Sequence, residues 1–311
     1  MNVTCKTLLC FAKQGLFFLL LLPLSLQAQE VRRGQEDVIV YQRVMQQLDA
    51  LPADTLFAAR VMNAAQAMTG VPYVGGTLEQ EPEILTVALA RTDCILFVEA
   101  CLCLAQTSLQ KDHTFASYCH NLRQLRYRNG TTNGYASRIH YTSEWIQQAE
   151  RLKKADGAPL LQEITRELSP VPLDQKFSYM TTHAAAYSAL VKHPEEISGI
   201  AATEKQLTQQ SYFYIPKAQL KACLDKIQDG DIICFVTKVE GLDISHVALA
   251  RVTYHCEHDC CPDARGCSNG QREVGFIHAS SAAKQVTVDS QTLLSYALSQ
   301  SNCIGIRVVR F

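Results

Sequence analysis

Cys94, His246 and His278 are the residues whose types and surroundings support nucleophilic chemistry. Cys94 follows Thr92-Asp93, which are suited to capping a helix, and precedes the apolar run Ile95 to Ala105. That order puts the thiol in the first turn of a helix, where free backbone N–H groups and the positive end of the helix dipole favour thiolate over thiol. Cys101 and Cys103, in the same run, illustrate the other use of cysteine, as a small buried apolar residue. His246 offers a base. In Asp243-Ile-Ser-His-Val-Ala-Leu-Ala250 the two-residue period of a strand sets His246, Ala248 and Ala250 on one face and Val247 and Leu249 on the other. The imidazole therefore stands among small side chains, where a cleft has room to form. His278 lies in Val274-Gly-Phe-Ile-His-Ala-Ser280. If these two segments pair as strands, His278 can hydrogen-bond the second ring nitrogen of His246 and hold the first toward Cys94, as the third member of a triad does.

Other residues could surround such a centre. Gly70-Val-Pro-Tyr-Val-Gly-Gly-Thr77 has three glycines and a proline in eight residues, which reads as a loop whose backbone approaches something else. Its Tyr73 either donates a hydrogen bond to a developing oxyanion or packs as an aromatic. Asp93 either caps the helix or binds substrate. Arg138 and His140 contact a substrate carboxylate or sugar, or act as structural partners.

These residues need elements to position them. Val31 to Met68 has apolar residues at helical spacing, broken at Pro52. The nucleophile run is apolar apart from Glu99, which suits a helix buried on most of its surface. The middle of the chain, about residues 106–215, reads as a helical elaboration beside the core. Beyond it, Asp231 to Val236, His246 to Tyr254, Glu273 to Ala279, Gln285 to Val288 and Gly305 to Phe311 are short, β-branched and turn-bounded, like antiparallel strands. A nucleophile helix packed on an antiparallel sheet predicts an α+β fold.

The order Pro72-Tyr73-Val-Gly-Gly76, Asp93-Cys94, Gly230-Asp231-Ile-Ile, Ser245-His246-Val247, Phe276-Ile-His278-Ala279 resembles the papain-like, NlpC-type superfamily of cell-wall cysteine peptidases and amidases. Further stretches are similar to its exported N-acetylmuramoyl-L-alanine amidase-like branch: Thr77-Leu-Glu79, Phe97-Val-Glu99, Tyr127-Arg-Asn-Gly130, Ser137-Arg-Ile-His-Tyr141 and Glu144-Trp145. The resemblance implies a papain-like core, a Cys94–His246–His278 triad with Tyr73 lining the site, and cleavage of the bond between N-acetylmuramic acid and L-alanine in muropeptides, without a metal or cofactor. The sequence departs from the pattern at Ile95, where endopeptidase members carry serine, and at Leu96, where this branch usually has threonine. The alternatives are a γ-D-glutamyl-diamino acid endopeptidase of the same superfamily and a non-catalytic wall-binding module.

The N-terminus and the cysteines bear on the compartment. Lys6 and Lys13 precede an apolar run from Leu16 to Leu24, followed by small or polar residues up to Ala28. The run is well short of the ~20 residues that span a bilayer and has the order of a signal peptide. Cleavage near Ala28 is expected, leaving 29–311 as a single exported domain, periplasmic or extracellular, with no remaining membrane span. Leu26 fits the cleavage rule poorly, and an uncleaved anchor is the other reading. Of thirteen cysteines, eleven would remain without Cys5 and Cys10, an odd number that leaves at least one thiol unpaired. Several fall in the insert His255-Cys-Glu-His-Asp-Cys-Cys-Pro-Asp-Ala-Arg-Gly-Cys267, whose spacing fits disulfides better than a standard zinc site and which reads as a rim element. The formal net charge of -1 offers no broad footprint for nucleic acid or anionic membrane.

Overall fold

The computed structural model describes residues 30–255 and 271–311. The expected leader and the insert from Cys256 to Cys267 lie outside the described residues.

The described residues open with a short strand, β1 (Val31–Arg32), and two helices, α1 (Gln35–Asp49) and α2 (Phe57–Ala67), with Pro52 in the break between them. Strand β2 (Leu85–Thr86) pairs parallel with β1. Helix α3 (Cys94–Ser108) then runs through the core, with Cys94 as its first residue, and Asp93 caps it by accepting from the Leu96 N–H at 3.0 Å. Glu99 is tolerated there because Arg126, the last residue of α4 (Phe115–Arg126), reaches it at 2.7 Å. Both side chains are 3% exposed.

The middle of the chain is mostly short helices: α5 (Thr142–Arg151), α6 (Tyr179–Thr182), α7 (Ser188–Lys192) and α8 (Ile197–Thr208). Tyr135, Tyr141, Phe177, Leu190 and Ile200 give it a separate apolar cluster. Strands β3 (Gln162–Glu163), β4 (Val171–Leu173) and β5 (Tyr212–Pro216) also arise here. They are too short for a period-two pattern to register, and they extend the sheet at one edge.

The last third supplies β6 (Ile232–Thr237), β7 (Ile244–His255), β8 (Gln271–Ser280), β9 (Gln285–Val288), helix α9 (Leu293–Ser299) and β10 (Cys303–Arg310). Among the described residues these form one sheet in the order β4-β5-β10-β6-β7-β8-β9, with β3 also on β10, and each of these neighbours pairs antiparallel. Gly230 turns the chain into β6 with φ +90°, a left-handed conformation costly for any side chain. The next residue, Asp231, is 1% exposed and holds Arg310 of β10 with two 2.7 Å bonds.

Alternation along β7 divides the core. Val247 and Leu249 join Cys234, Ile277 and the apolar side chains of α3. Ala248 and Ala250 join Phe235, Phe276 and, from α9, Leu293 and Ala297. Helices and an antiparallel sheet thus enclose two apolar layers, the α+β arrangement that the strand and helix patterns predict.

Candidate active site

The site forms where the N-terminus of α3 meets the start of β7. The backbone N–H of Val247, the residue after His246, lies close enough to the Cys94 sulfur to favour its charged form. The residue as a whole is partly exposed, but its sulfur is enclosed. Burial pushes the thiol up to about 12, helped by the neighbouring Asp93 carboxylate, against the pull of the Val247, Ile95 and Cys94 N–H groups. This corrects the expectation of a resting thiolate: desolvation outweighs the helix terminus. The charged form of His246 is disfavoured in the same way, by burial first and then by His278, which lower it from 6.5 to about 3. Both shifts favour a thiol and a neutral imidazole, so any attack by the sulfur requires its proton to move.

His278 is 1% exposed, and its Nδ1 lies 2.7 Å from His246 Nε2, the contact that pairing of the two strands allows. Aromatic rings surround the pair. Phe235, directly across the β6–β7 ladder, stacks on His246 at 5.6 Å, and the ring of Tyr296 on α9 stands 5.8 Å from that of His278. The face of β7 carrying His246 is therefore filled by rings rather than open as a cleft.

The open space lies on the other flank. A cavity of about 390 Å³ is lined by Asp93 and Ile95 from either side of Cys94, and by Thr77, Arg138, His140 and Trp145. Two of these present buried polar atoms, Trp145 Nε1 and Thr77 Oγ1, that have no partner among the described residues. Tyr73 is half-buried, and burial together with nearby Cys94 and Asp93 raises its phenol, keeping it a donor. Its loop is pinned to the sheet, with Gly70 N–H donating to Val286 O and Tyr73 N–H to Lys284 O, both at 2.9 Å. Gly70 and Gly76 serve this path through positive φ, since a Cβ at either would meet nothing within 4 Å.

The remaining site residues divide differently than expected. Asp93 both caps α3 and lines the cavity. Arg138 reaches the cavity wall, but Glu79 at 2.8 Å and Glu83 at 3.3 Å hold its guanidinium, so it braces the wall and is not free for a substrate carboxylate. His140 Nε2 donates to Tyr135 O at 3.0 Å, and burial followed by Arg138 drives its charged form well below the histidine range. The sequence reading missed Asp289, whose Oδ2 lies 3.2 Å from His278 Nε2. The only sequence signal for it is an acidic residue just past a strand end, two positions beyond the partner of His278 in the β8–β9 register. Among the described residues, no group of three or more His, Cys, Asp or Glu side chains is arranged to hold a metal ion, and no helix is long and apolar enough to cross a membrane.

Residues 63–306 match the family model described as AmiA-like, N-acetylmuramoyl-L-alanine amidase-like. The chain belongs to that family. A Bacteroides uniformis N-acetylmuramoyl-L-alanine amidase of known structure is similar at 32% identity and a TM-score of 0.69, covering 82% of this chain and 98% of its own. A Bacteroides fragilis protein described as a candidate xylanase is similar at 33% identity and TM-score 0.67, over 79% of this chain and 99% of its own. A Legionella pneumophila protein at 19% identity and TM-score 0.54, over 88% and 94%, shares the fold. No curated protein matches the sequence.

The pKa directions predict a pH profile for this AmiA-like site. A base works only while unprotonated, so with His246 in that role its lowering to about 3 would place the acid limb of kcat/KM well below 6.5. Rates measured against pH should stay level from neutral down to about pH 5. An acid limb at the ordinary histidine value would show that burial does not hold the ring neutral.

Proposed function

We propose that the protein is a cysteine amidase with a papain-like, NlpC-type core that hydrolyses the bond between N-acetylmuramic acid and L-alanine in peptidoglycan fragments. One observation carries this reading: a helix-terminal cysteine lies against the backbone of Val247, next to a histidine that is paired with a second one, at the edge of a cavity lined by Asp93 and Ile95, in a chain of the amidase-like family. His246 takes the Cys94 proton as the sulfur attacks the amide carbonyl. The oxyanion forms beside the Cys94 N–H and Tyr73 O–H, and His246 returns the proton to the leaving L-alanine nitrogen. Water, activated by the same imidazole, then hydrolyses the thioester.

The choice of bond rests on the wall after the nucleophile. An endopeptidase acting on a stem with a free L-alanine amine must satisfy a buried ammonium, and Ile95 offers it no hydrogen bond. The Leu96 N–H already engages the Asp93 carboxylate. A poorly paired ammonium costs several kcal/mol, about a thousandfold. An amidase meets no such charge, because the lactyl group of the sugar acylates that nitrogen. Neutral sugar hydroxyl and acetamido groups suit the unpartnered Trp145 and Thr77 atoms of the cavity.

Mass spectrometry of defined muropeptides tests the reading. A muramyl peptide should yield the free sugar and a peptide beginning with L-alanine, while the same peptide without sugar remains intact. Release of L-Ala-D-Glu from the sugar-free stem would establish the endopeptidase instead, and cleavage of neither would favour a binding module.

A further inference from the structure

We propose that Asp289 is a positioning residue that sets the proton tautomers of both histidines and leaves Nδ1 of His246, the ring nitrogen not engaged by His278, bare. The inference rests on the catalytic reading above. Its observations are the contacts of three side chains in a row.

Asp289 is placed by the backbone. Its N–H donates to Phe276 O at 3.0 Å, and its Oδ1 accepts the Gln291 N–H at 2.8 Å. Oδ2 is then left 3.2 Å from His278 Nε2. The approach is off the ideal hydrogen-bond line, yet Nε2 has no better-aligned partner among the described residues. A bare ring nitrogen there would set its lone pair against a carboxylate, so the proton belongs on Nε2. Burial holds His278 below the ordinary histidine range, against the opposing pull of Asp289, so the ring is neutral and carries one proton. His278 Nδ1 is therefore an acceptor, and at 2.7 Å its partner, His246 Nε2, has to be the donor. Only Nδ1 of His246 is then left without a proton, free to receive one from Cys94. Phe235, Phe276 and the ring of Tyr296 pack around the pair, and among the described residues no other hydrogen bond or ion pair reaches either imidazole.

Asp289→Asn separates this role from simple support. The Gln291 N–H still demands an oxygen, so the amide nitrogen of the new side chain faces His278 Nε2. That nitrogen has to become an acceptor, its proton moves to Nδ1, and the swap passes to His246, whose Nδ1 is then protonated and cannot act as base. The effect on kcat/KM should be about a thousandfold, with KM little changed. Asp289→Ala imposes no wrong tautomer and should cost less than Asp289→Asn.

Two-bond ¹H–¹⁵N correlation spectra of histidine-labelled protein read the tautomers directly and need no substrate, so an error in the assigned bond leaves this readout intact. The wild type should show protons on Nε2 of both rings, and Asp289→Asn protons on Nδ1 of both. A wild-type His246 protonated on Nδ1, unchanged tautomers in Asp289→Asn, or swapped tautomers with unchanged kcat/KM would each overturn the proposal. So would an Asp289→Ala enzyme slower than Asp289→Asn.

Discussion

Cys94→Ala should lower kcat/KM on a muramyl peptide by at least about four orders of magnitude, and His246→Ala by a similar amount. In the proposed mechanism the first removes the atom that forms the thioester. The second removes the proposed base, which the thiol needs because burial pushes Cys94 up to about 12 and keeps it protonated at neutral pH. His278→Ala should cost about two orders of magnitude, because in that mechanism this residue orients His246 through their 2.7 Å contact and does not itself react. Steady-state kinetics of the three variants, each verified as folded by circular dichroism, make the comparison. Substantial activity in Cys94→Ala would sink the mechanism. A His278→Ala loss as deep as that of His246→Ala would mean that His278 handles the proton itself.

The second large effect falls on stability. Glu99 and Arg126 face each other in the core, both 3% exposed, with two bonds of 2.9 and 2.7 Å converging on Glu99 Oε2. Glu99→Ala leaves a guanidinium in a low-dielectric interior with no counter-charge, which should lower the unfolding free energy by about 3–5 kcal/mol. Glu99→Met combined with Arg126→Met removes both charges and refills the space, so most of that loss should return. Urea unfolding of wild type, single and double variants measures this. A double variant no more stable than the single one would show that the pair does more than neutralise itself, for example by fixing α4 against α3.

The sequence by itself determined the parts whose physics is local. Thr92-Asp93 before an apolar run starts a helix at Cys94, and Asp93 does cap it. Alternation along Asp243 to Ala250 is enough to assign Val247 and Leu249 to one layer and His246 to the other, because a strand turns successive side chains to opposite faces whatever packs on them. The turn-bounded segments of the last third emerge as strands within a few residues of their predicted ends.

Only the tertiary structure decided which groups share a dielectric environment and which charges meet. A helix terminus favours thiolate in isolation, but the enclosure of the sulfur is a property of the whole packing and reverses the preference. Arg138 looks free in the sequence, because the carboxylates that hold it arrive from a loop some sixty positions away. Asp289 meets His278 through strand register, and the neutral ring beside it results from burial. Proton positions in this site depend on distances and desolvation that exist only once β7, β8 and α3 are packed together, and no spacing along the chain encodes them.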